Sequence, residues 1–338
     1  MNYRIWSGFI IILFLFTGCS SVPKETVTNL TKGQDGYIYF SSPDNVDLTD
    51  IIGGKNLKER ETTVYGKLLL PRNQRDKIPA VVINHSSGGV KQFRDYRFAK
   101  ALNKKGIAAF VLYSFKGREG VSGHTQSAKS SVTFGMRIAD AYTALNLLST
   151  HPAIDSERIA IIGFSSGGSV SLLSADEKVR RRLAKDNLKF AAHVCIYTSA
   201  LFTYKNLTPT KAPMLFLIGE KDDIAPAKDC LRYAERIKVS GVNVKTVVYP
   251  GAHHAWDEPH TQRFSLDHLI NSATCHFDIL DSGMLQDTTT GYLFPEREWA
   301  EHSKSCAIKG GTVWRNEKAA KQFVDDTLNF LTEILEVQ

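Results

Sequence analysis

Residues 158–168 of this 338-residue chain read RIAIIGFSSGG. The apolar run predicts a β-strand that is buried on both faces, and the small residues after it predict a helix. Between them lies the pattern G-x-S-x-G, which lifts one serine out of the sheet on a sharp turn from strand to helix. Gly163 and Gly167 fit this turn because side chains would clash where strand and helix converge. The motif makes Ser165 a candidate nucleophile and the backbone N–H of Ser166 a candidate oxyanion donor.

A serine nucleophile needs a base, and the base needs a carboxylate that orients it. Both should follow later strands, in the chain order serine, acid, histidine. The apolar run MLFLI predicts one such strand and is followed by GEKDDIAP, and the run VKTVVY is followed by PGAHHAW. These segments offer Asp222 or Asp223 as the acid and His253 or His254 as the base.

The rest of the chain alternates between short apolar runs and helical patterns. Predicted strands lie at 37–40, 62–70, 79–84, 106–113, 158–163, 190–197, 213–218 and 242–249. Predicted helices lie at 93–104, 132–148, 168–175, 227–239 and 316–337. This alternation indicates an α/β fold with a mostly parallel sheet flanked by helices. Arg137 and Asp140 are three residues apart and predict an ion pair on a helix surface.

Composition excludes several classes of protein. With 43% hydrophobic and 23% charged residues, the chain is neither disordered nor collagen-like nor a small disulfide scaffold. Its 42 Lys and Arg against 35 Asp and Glu leave a net charge of +7 without a basic block, so nucleic-acid binding is not expected. No zinc-type motif and no P-loop occurs, so neither a metal nor another cofactor is expected.

The first twenty residues carry a separate signal. Arg4 precedes the apolar run at 9–16, which ends in Thr-Gly-Cys. This order is typical of a secretory signal peptide, and the run is too short to cross a bilayer comfortably. The tripeptide ending at Cys19 resembles the bacterial lipobox, which implies that Cys19 is acylated and becomes the first residue after cleavage.

The lipobox resemblance implies a division of the chain and a cellular location. Residues 1–18 are expected to be a lipoprotein signal peptide and residues 19–35 a tether. The lipid would hold the protein on a membrane of the bacterial envelope. Ser20 resembles the signal for sorting to the outer membrane, where the protein would face the periplasm. Simple secretion with cleavage near Gly18 is the alternative.

The chain has five cysteines, Cys19, Cys195, Cys230, Cys275 and Cys306. If Cys19 carries a lipid, four cysteines remain, and the compartment is oxidising. Residues 257–313 form a long segment that is rich in polar and aromatic residues and interrupts the alternation. A segment of this length is usually functional or separately held, and we expect it to be an insertion that caps the site. Cys275 and Cys306 flank its polar part and are the best candidates for a disulfide, although one sequence cannot prove connectivity.

Together, the segments GFSSGG, GEKDDIAP and YPGAHHAW resemble the dienelactone hydrolase family of α/β-hydrolases. The resemblance extends over about residues 63–338 and implies one α/β-hydrolase domain at 36–338. In the family pattern, the first Asp of G-x-x-D matches Asp222, and the histidine before a small residue and an aromatic matches His254. The namesake enzymes use cysteine as the nucleophile, whereas this chain has Ser165, which points to general ester hydrolysis.

The same resemblance implies further site residues. The segment NHSSGG after an early strand is similar to the H-G-x-x-G loop, so the N–H of Ser87 is expected to be the second oxyanion donor. His85 is expected to hold this loop rather than to act as a base. Phe115, Arg118 and Trp256 are expected on loops at the same sheet edge and are candidates for substrate binding, with a structural role as the alternative for Arg118.

The function predicted from these features is carboxylic ester hydrolysis through Ser165, Asp222, His254 and an acyl-enzyme. The expected partner is a small-molecule ester, with no obligate protein partner evident. A serine peptidase or a thioesterase on the same fold is an alternative, because one triad serves all acyl transfer. A non-catalytic envelope binding protein that retains the fold is the alternative from another class.

Overall fold

The computed structural model describes residues 25–72, 76–118, 131–259 and 262–337. The predicted signal peptide, Cys19 and the first part of the tether lie outside the described residues. Across those four ranges, no helix combines the length and the apolar character needed to cross a membrane.

The core of the molecule is an eight-stranded sheet in the order β1-β2-β4-β3-β5-β6-β8-β9. Its strands are β1 (Gly36–Pro43), β2 (Glu61–Leu69), β3 (Ile78–Asn84), β4 (Ala108–Tyr113), β5 (Ile154–Phe164), β6 (His193–Ile196), β8 (Met214–Gly219) and β9 (Val244–Tyr249). The six strands from β4 to β9 in this order are parallel, whereas β2 is antiparallel to both β1 and β4. The mostly parallel sheet predicted from the sequence is therefore confirmed.

Helices cover both faces of this sheet. They are α1 (Leu48–Ile52), α2 (Arg97–Lys104), α3 (Phe134–Leu148), α4 (Ser166–Leu173), α5 (Glu177–Leu183), α6 (Ala227–Val239), α7 (Trp299–His302) and α8 (Glu317–Ile334). In β3, Val81 and Ile83 pack in one cluster with α2 and α8, while Ala80 and Val82 pack in another with α3. Successive side chains of a strand point to opposite faces, so a strand covered on both sides must be apolar throughout.

The predicted insertion at 257–313 contains short strands rather than a plain loop. They are β10 (Phe264–Ser265), β11 (Ile270–Asn271), β12 (Phe277–Ile279), β13 (Leu285–Asp287), β14 (Leu293–Phe294), β15 (Ile308–Lys309) and β16 (Thr312–Val313). Strands β12 to β14 form a small sheet with β7 (Phe202–Tyr204), and β10 and β11 pair with β16 and β15. The predicted disulfide is confirmed: Cys275 and Cys306 are bonded, with 5.3 Å between their Cα atoms.

Candidate active site

The turn between β5 and α4 holds Ser165 in a strained conformation. Its φ of +54° and ψ of −119° are rarely adopted by a residue with a side chain. Strand and helix approach so closely that a Cβ on Gly163 would lie 1.8 Å from the carbonyl oxygen of Gly167. A Cβ on Gly167 would lie 2.3 Å from the carbonyl oxygen of Asn84. Gly163 is therefore required by the approach of β5 to α4, and Gly167 by the approach of α4 to the end of β3.

Ser165 is hydrogen-bonded in series to a histidine and a carboxylate. Its Oγ lies 2.9 Å from Nε2 of His254, and Nδ1 of His254 lies 2.9 Å from Oδ2 of Asp222. The backbone N–H groups of Ile224 and Ala225 donate to Oδ1 of Asp222 over 2.9 and 2.7 Å. Because a carboxylate only accepts, Nδ1 carries the proton and Nε2 can accept from the serine hydroxyl. This is the arrangement that general-base activation of a serine requires.

The two neighbouring candidates have other contacts. Oδ1 of Asp223 accepts the backbone N–H of Thr312 over 2.8 Å, and its carbonyl accepts Nδ2 of Asn271 over 2.8 Å. The ring of His253 packs against Trp314, with 5.7 Å between the ring centroids. Asp223 therefore fastens the insertion to the loop that carries Asp222.

The predicted oxyanion loop reaches the same place. Ser87 and Ser166 line one cavity together with Ser165. Nδ1 of His85 donates to the carbonyl of Ser86 over 2.7 Å, and its ring contacts Phe115 edge to face at 4.5 Å. Burial lowers the pKa of His85 to about 3, with the charge of Arg137 acting in the same direction, so His85 is neutral. These contacts agree with a structural role for His85.

Sequence reasoning missed Arg137. The predicted surface pair of Arg137 with Asp140 is wrong, because both side chains are buried and have other partners. Arg137 donates to Oγ of Ser166 over 2.9 Å and to the carbonyl of His85, and its guanidinium lies over the ring of Phe115. One signal could have found it: these are the only two charges in the fifteen residues of α3, which is buried on nearly every side.

Two of the three predicted substrate contacts need correction. Arg118 uses all five of its N–H donors on Asp140, Asp44 and two backbone carbonyls, so none remains for a substrate. Trp256 is fully buried and packs against aromatic rings of the core. Only Phe115 of the three lines the cavity at Ser165, among the residues that the structure describes.

This cavity has a volume of about 200 Å³ and is mostly apolar. Its wall combines the main domain with the insertion, which contributes Leu266, Leu269, Ile270 and Trp299. A second, wider cleft of about 800 Å³ also reaches Ser165 and His254. Within the described ranges, no cluster of three or more His, Cys, Asp or Glu side chains could hold a metal ion.

Solved structures share this fold. A dienelactone hydrolase-like promiscuous phosphotriesterase, P91, from metagenomic libraries is 15% identical with a TM-score of 0.53, covering 88% of this chain and 99% of its own. A Klebsiella pneumoniae protein described as a dienelactone hydrolase is 16% identical with a TM-score of 0.51 and the same two coverages. At such low identity these likenesses show the fold alone.

Sequence relatives match shorter stretches. A probable 2-oxo-3-(5-oxofuran-2-ylidene)propanoate lactonase of Bradyrhizobium sp is 26% identical over 133 residues, which are 36% of this chain and 49% of the relative. The uncharacterized protein PA2218 of Pseudomonas aeruginosa is 25% identical over 179 residues, which are 50% of this chain and 46% of the relative. The chain thus spans about half the length of the curated relatives it matches. The dienelactone hydrolase family model matches residues 64–275, well over half of the chain. The chain belongs to the dienelactone hydrolase family.

Proposed function

We propose that this protein is a serine hydrolase that cleaves carboxylic esters through an acyl-enzyme. The observation that carries the proposal is the series of two 2.9 Å contacts that joins Ser165, His254 and Asp222 at an apolar cavity. Membership of the dienelactone hydrolase family supports the ester as the substrate class.

The mechanism follows from these contacts. Nε2 of His254 takes the hydroxyl proton while Oγ of Ser165 attacks the ester carbonyl carbon. The resulting oxyanion is stabilised by the backbone N–H groups of Ser166 and Ser87. Collapse of this intermediate breaks the bond to the alcohol oxygen, which receives the proton from His254. Water then attacks the acyl carbon while His254 takes its proton, and collapse breaks the bond to Oγ of Ser165, which receives this proton as the carboxylic acid leaves. Asp222 orients the imidazole throughout.

Labelling with a fluorophosphonate tests this proposal on the full chain. We expect the wild type and a Ser282→Ala control, which removes an exposed hydroxyl, to be labelled and to hydrolyse p-nitrophenyl esters. We expect Ser165→Ala to lose the label and at least about 10³-fold in kcat. A wild type that neither labels nor turns over would favour a binding protein, and labelling that persists in Ser165→Ala would identify another nucleophile.

We also propose that Cys19 carries a lipid that anchors the protein in the bacterial envelope, on the outer membrane facing the periplasm. The lipobox-like residues up to Cys19 support this, and the Cys275–Cys306 disulfide fits an oxidising compartment. Expression in a Gram-negative host with radiolabelled palmitate should label the wild type in the outer-membrane fraction but not Cys19→Ser. An unlabelled wild type in the soluble periplasm would indicate simple secretion.

A further inference from the structure

A turn of the insertion lies between the apolar cavity and the wider cleft, which meet at Ser165. The cavity and the wider cleft share Ser165 and His254, and they also share Leu266 and Leu269. These two leucines are the ends of residues 266–269, which we call the 266–269 turn. It therefore divides the space around the nucleophile into two compartments.

The 266–269 turn is held by backbone contacts. The N–H of Leu269 donates to the carbonyl of Leu266 over 2.8 Å, which closes the turn. The N–H of Leu266 donates to Gly311 over 2.8 Å, and the N–H of Gly310 donates to Leu269 over 2.9 Å. A Cβ on Gly311 would lie 2.6 Å from the side chain of Ile224, so the absence of a side chain there lets the connection between β15 and β16 pack against the loop that carries Asp222.

The two compartments differ in polarity and exposure. The cavity wall includes the buried apolar side chains of Val132, Phe202 and Ala225, and the buried Arg137, whose guanidinium donates to Ser166 and His85. The cleft wall also contains apolar residues such as Phe264, but it adds charged or polar side chains that are half-buried or exposed, including Lys91, Glu258, Asp267 and His268. An ester that fills both compartments therefore fits best when its apolar part lies in the cavity and its polar groups lie on the cleft side of the carbonyl linkage.

The chemistry decides which half of the ester lies where. The acyl group stays bonded to Ser165 after the first step, whereas the alcohol must leave and a water molecule must reach His254. The exposed cleft allows this exchange, and the apolar cavity can keep the acyl group in place. A cavity of about 150 Å³ holds one benzene ring, so about 200 Å³ suits an acyl group of roughly six to eight carbons.

We propose that the substrates are esters of a compact apolar acyl group with a larger polar alcohol, and that Leu266 and Leu269 set the limit on acyl size. This inference rests on the proposed serine hydrolase function. It names the substrate class of that same site.

The assignment of the two halves is tested with a pair of isomers. In 2,3-dihydroxypropyl hexanoate the acyl group is apolar and the alcohol polar, and in hexyl 2,3-dihydroxypropanoate these roles are exchanged. We expect kcat/KM, divided by each ester's rate constant for hydroxide hydrolysis, to favour the hexanoate at least about tenfold. Equal values or a reversed preference would overturn the assignment.

The limit on acyl size is tested with glycerol monoesters whose acyl chains have four to twelve carbons. We expect kcat/KM of the wild type to be highest at six to eight carbons and at least about tenfold lower at twelve. Leu269→Ala should raise the ratio of twelve- to six-carbon activity at least about fivefold. The matched control Leu293→Ala removes an exposed leucine of the insertion that lines neither the cavity nor the cleft. It should leave this ratio unchanged.

An unchanged ratio in Leu269→Ala, or an equal shift in the control, would refute the role of the turn. If Leu269→Ala does not fold, Leu269→Phe replaces it and should lower activity on the eight-carbon ester while sparing the four-carbon ester. Fluorophosphonate labelling of the wild type separates the two hypotheses. Without a label at Ser165 the proposed function fails, whereas a labelled enzyme without these preferences refutes only the substrate class.

Discussion

Arg137 contacts both segments that carry the predicted oxyanion donors. It donates to the hydroxyl of Ser166, next to the nucleophile, and to the carbonyl of His85, two residues before Ser87. Burial lowers the pKa of Arg137 to about 10, which still leaves the guanidinium charged at neutral pH. A buried positive charge that joins these two segments can keep their N–H groups at the spacing an oxyanion needs.

We therefore expect Arg137→Lys to lower kcat by about 10- to 100-fold with a smaller change in KM, because lysine cannot reproduce the planar pair of donors. Steady-state kinetics on a p-nitrophenyl ester would measure this, with circular dichroism to confirm folding. Arg181→Lys, at a largely exposed arginine of α5, is the matched control and should leave both constants unchanged. Wild-type kcat in Arg137→Lys would mean that Arg137 only supports the fold.

At the scale of elements, Glu296 joins the insertion to two helices. It begins the 3₁₀ turn Glu296–Glu298 and is completely buried. Its carboxylate accepts the N–H groups of Phe134 and Gly135 at the start of α3, over 2.7 and 3.0 Å. It also accepts the N–H of Leu48 at the start of α1, over 3.1 Å. The first N–H groups of a helix lack partners within the helix, so this one carboxylate accepts N–H groups at the N-termini of both α1 and α3.

The titration of Glu296 makes stability depend on pH. Burial, with a contribution from the nearby charge of Asp47, raises the pKa of Glu296 from 4.5 to about 7. The folded state then binds this proton more tightly than the unfolded state. Its stabilising effect is complete below about pH 4.5 and is lost as pH rises through about 7.

We expect the free energy of unfolding of the wild type, relative to Glu296→Gln, to fall by roughly 3 kcal/mol between pH 4 and pH 8. Urea unfolding at a series of pH values would measure the difference, since the amide in the variant does not titrate. Glu298→Gln, at an exposed neighbour, should show no such trend. A relative stability that rises with pH would show that the three N–H donors outweigh burial and lower the pKa.

At the scale of the whole molecule, the insertion and the main domain share one hydrophobic core. Phe277, Ile279 and Leu285 of the small sheet pack in the same cluster as Ile138 and Leu145 of α3. The disulfide between Cys275 and Cys306 closes a loop within the insertion with a sequence separation of 31 residues. Because the core is continuous, the insertion should unfold together with the sheet.

Removing the disulfide in Cys275→Ala/Cys306→Ala should therefore lower the free energy of unfolding by about 3–4 kcal/mol, mainly because the unfolded chain gains conformational entropy. We expect a single urea transition at a lower midpoint. A reductant should shift the wild type in the same direction and leave the double variant unchanged. Two separate transitions would contradict the shared core. An equal effect of reductant on both proteins would show that the reductant acts on groups other than this disulfide.

The sequence alone predicted the parallel sheet, the best candidates for a disulfide and Ser165 as the candidate nucleophile, with Asp222 or Asp223 as the acid and His253 or His254 as the base. These depend on short-range patterns: apolar runs mark buried strands, and G-x-S-x-G marks a turn in which Gly163 cannot carry a side chain. The disulfide partners stand out because they flank one segment. Residues at the ends of parallel strands meet at one edge, so chain order placed these candidates beside Ser165, and the resemblance to the family pattern favoured Asp222 and His254.

Only the tertiary structure decided the surroundings of these residues. Arg118 is paired with Asp44, 74 positions away, and Glu296 contacts Phe134, 162 positions away. Whether Arg118 faces a substrate or Trp256 faces the core depends on such distant contacts, which no local pattern specifies. The 266–269 turn likewise lies beside Ser165 only because the insertion folds back across the sheet edge. Side-chain packing between distant segments therefore decided the shape of the site, while local sequence decided its chemistry.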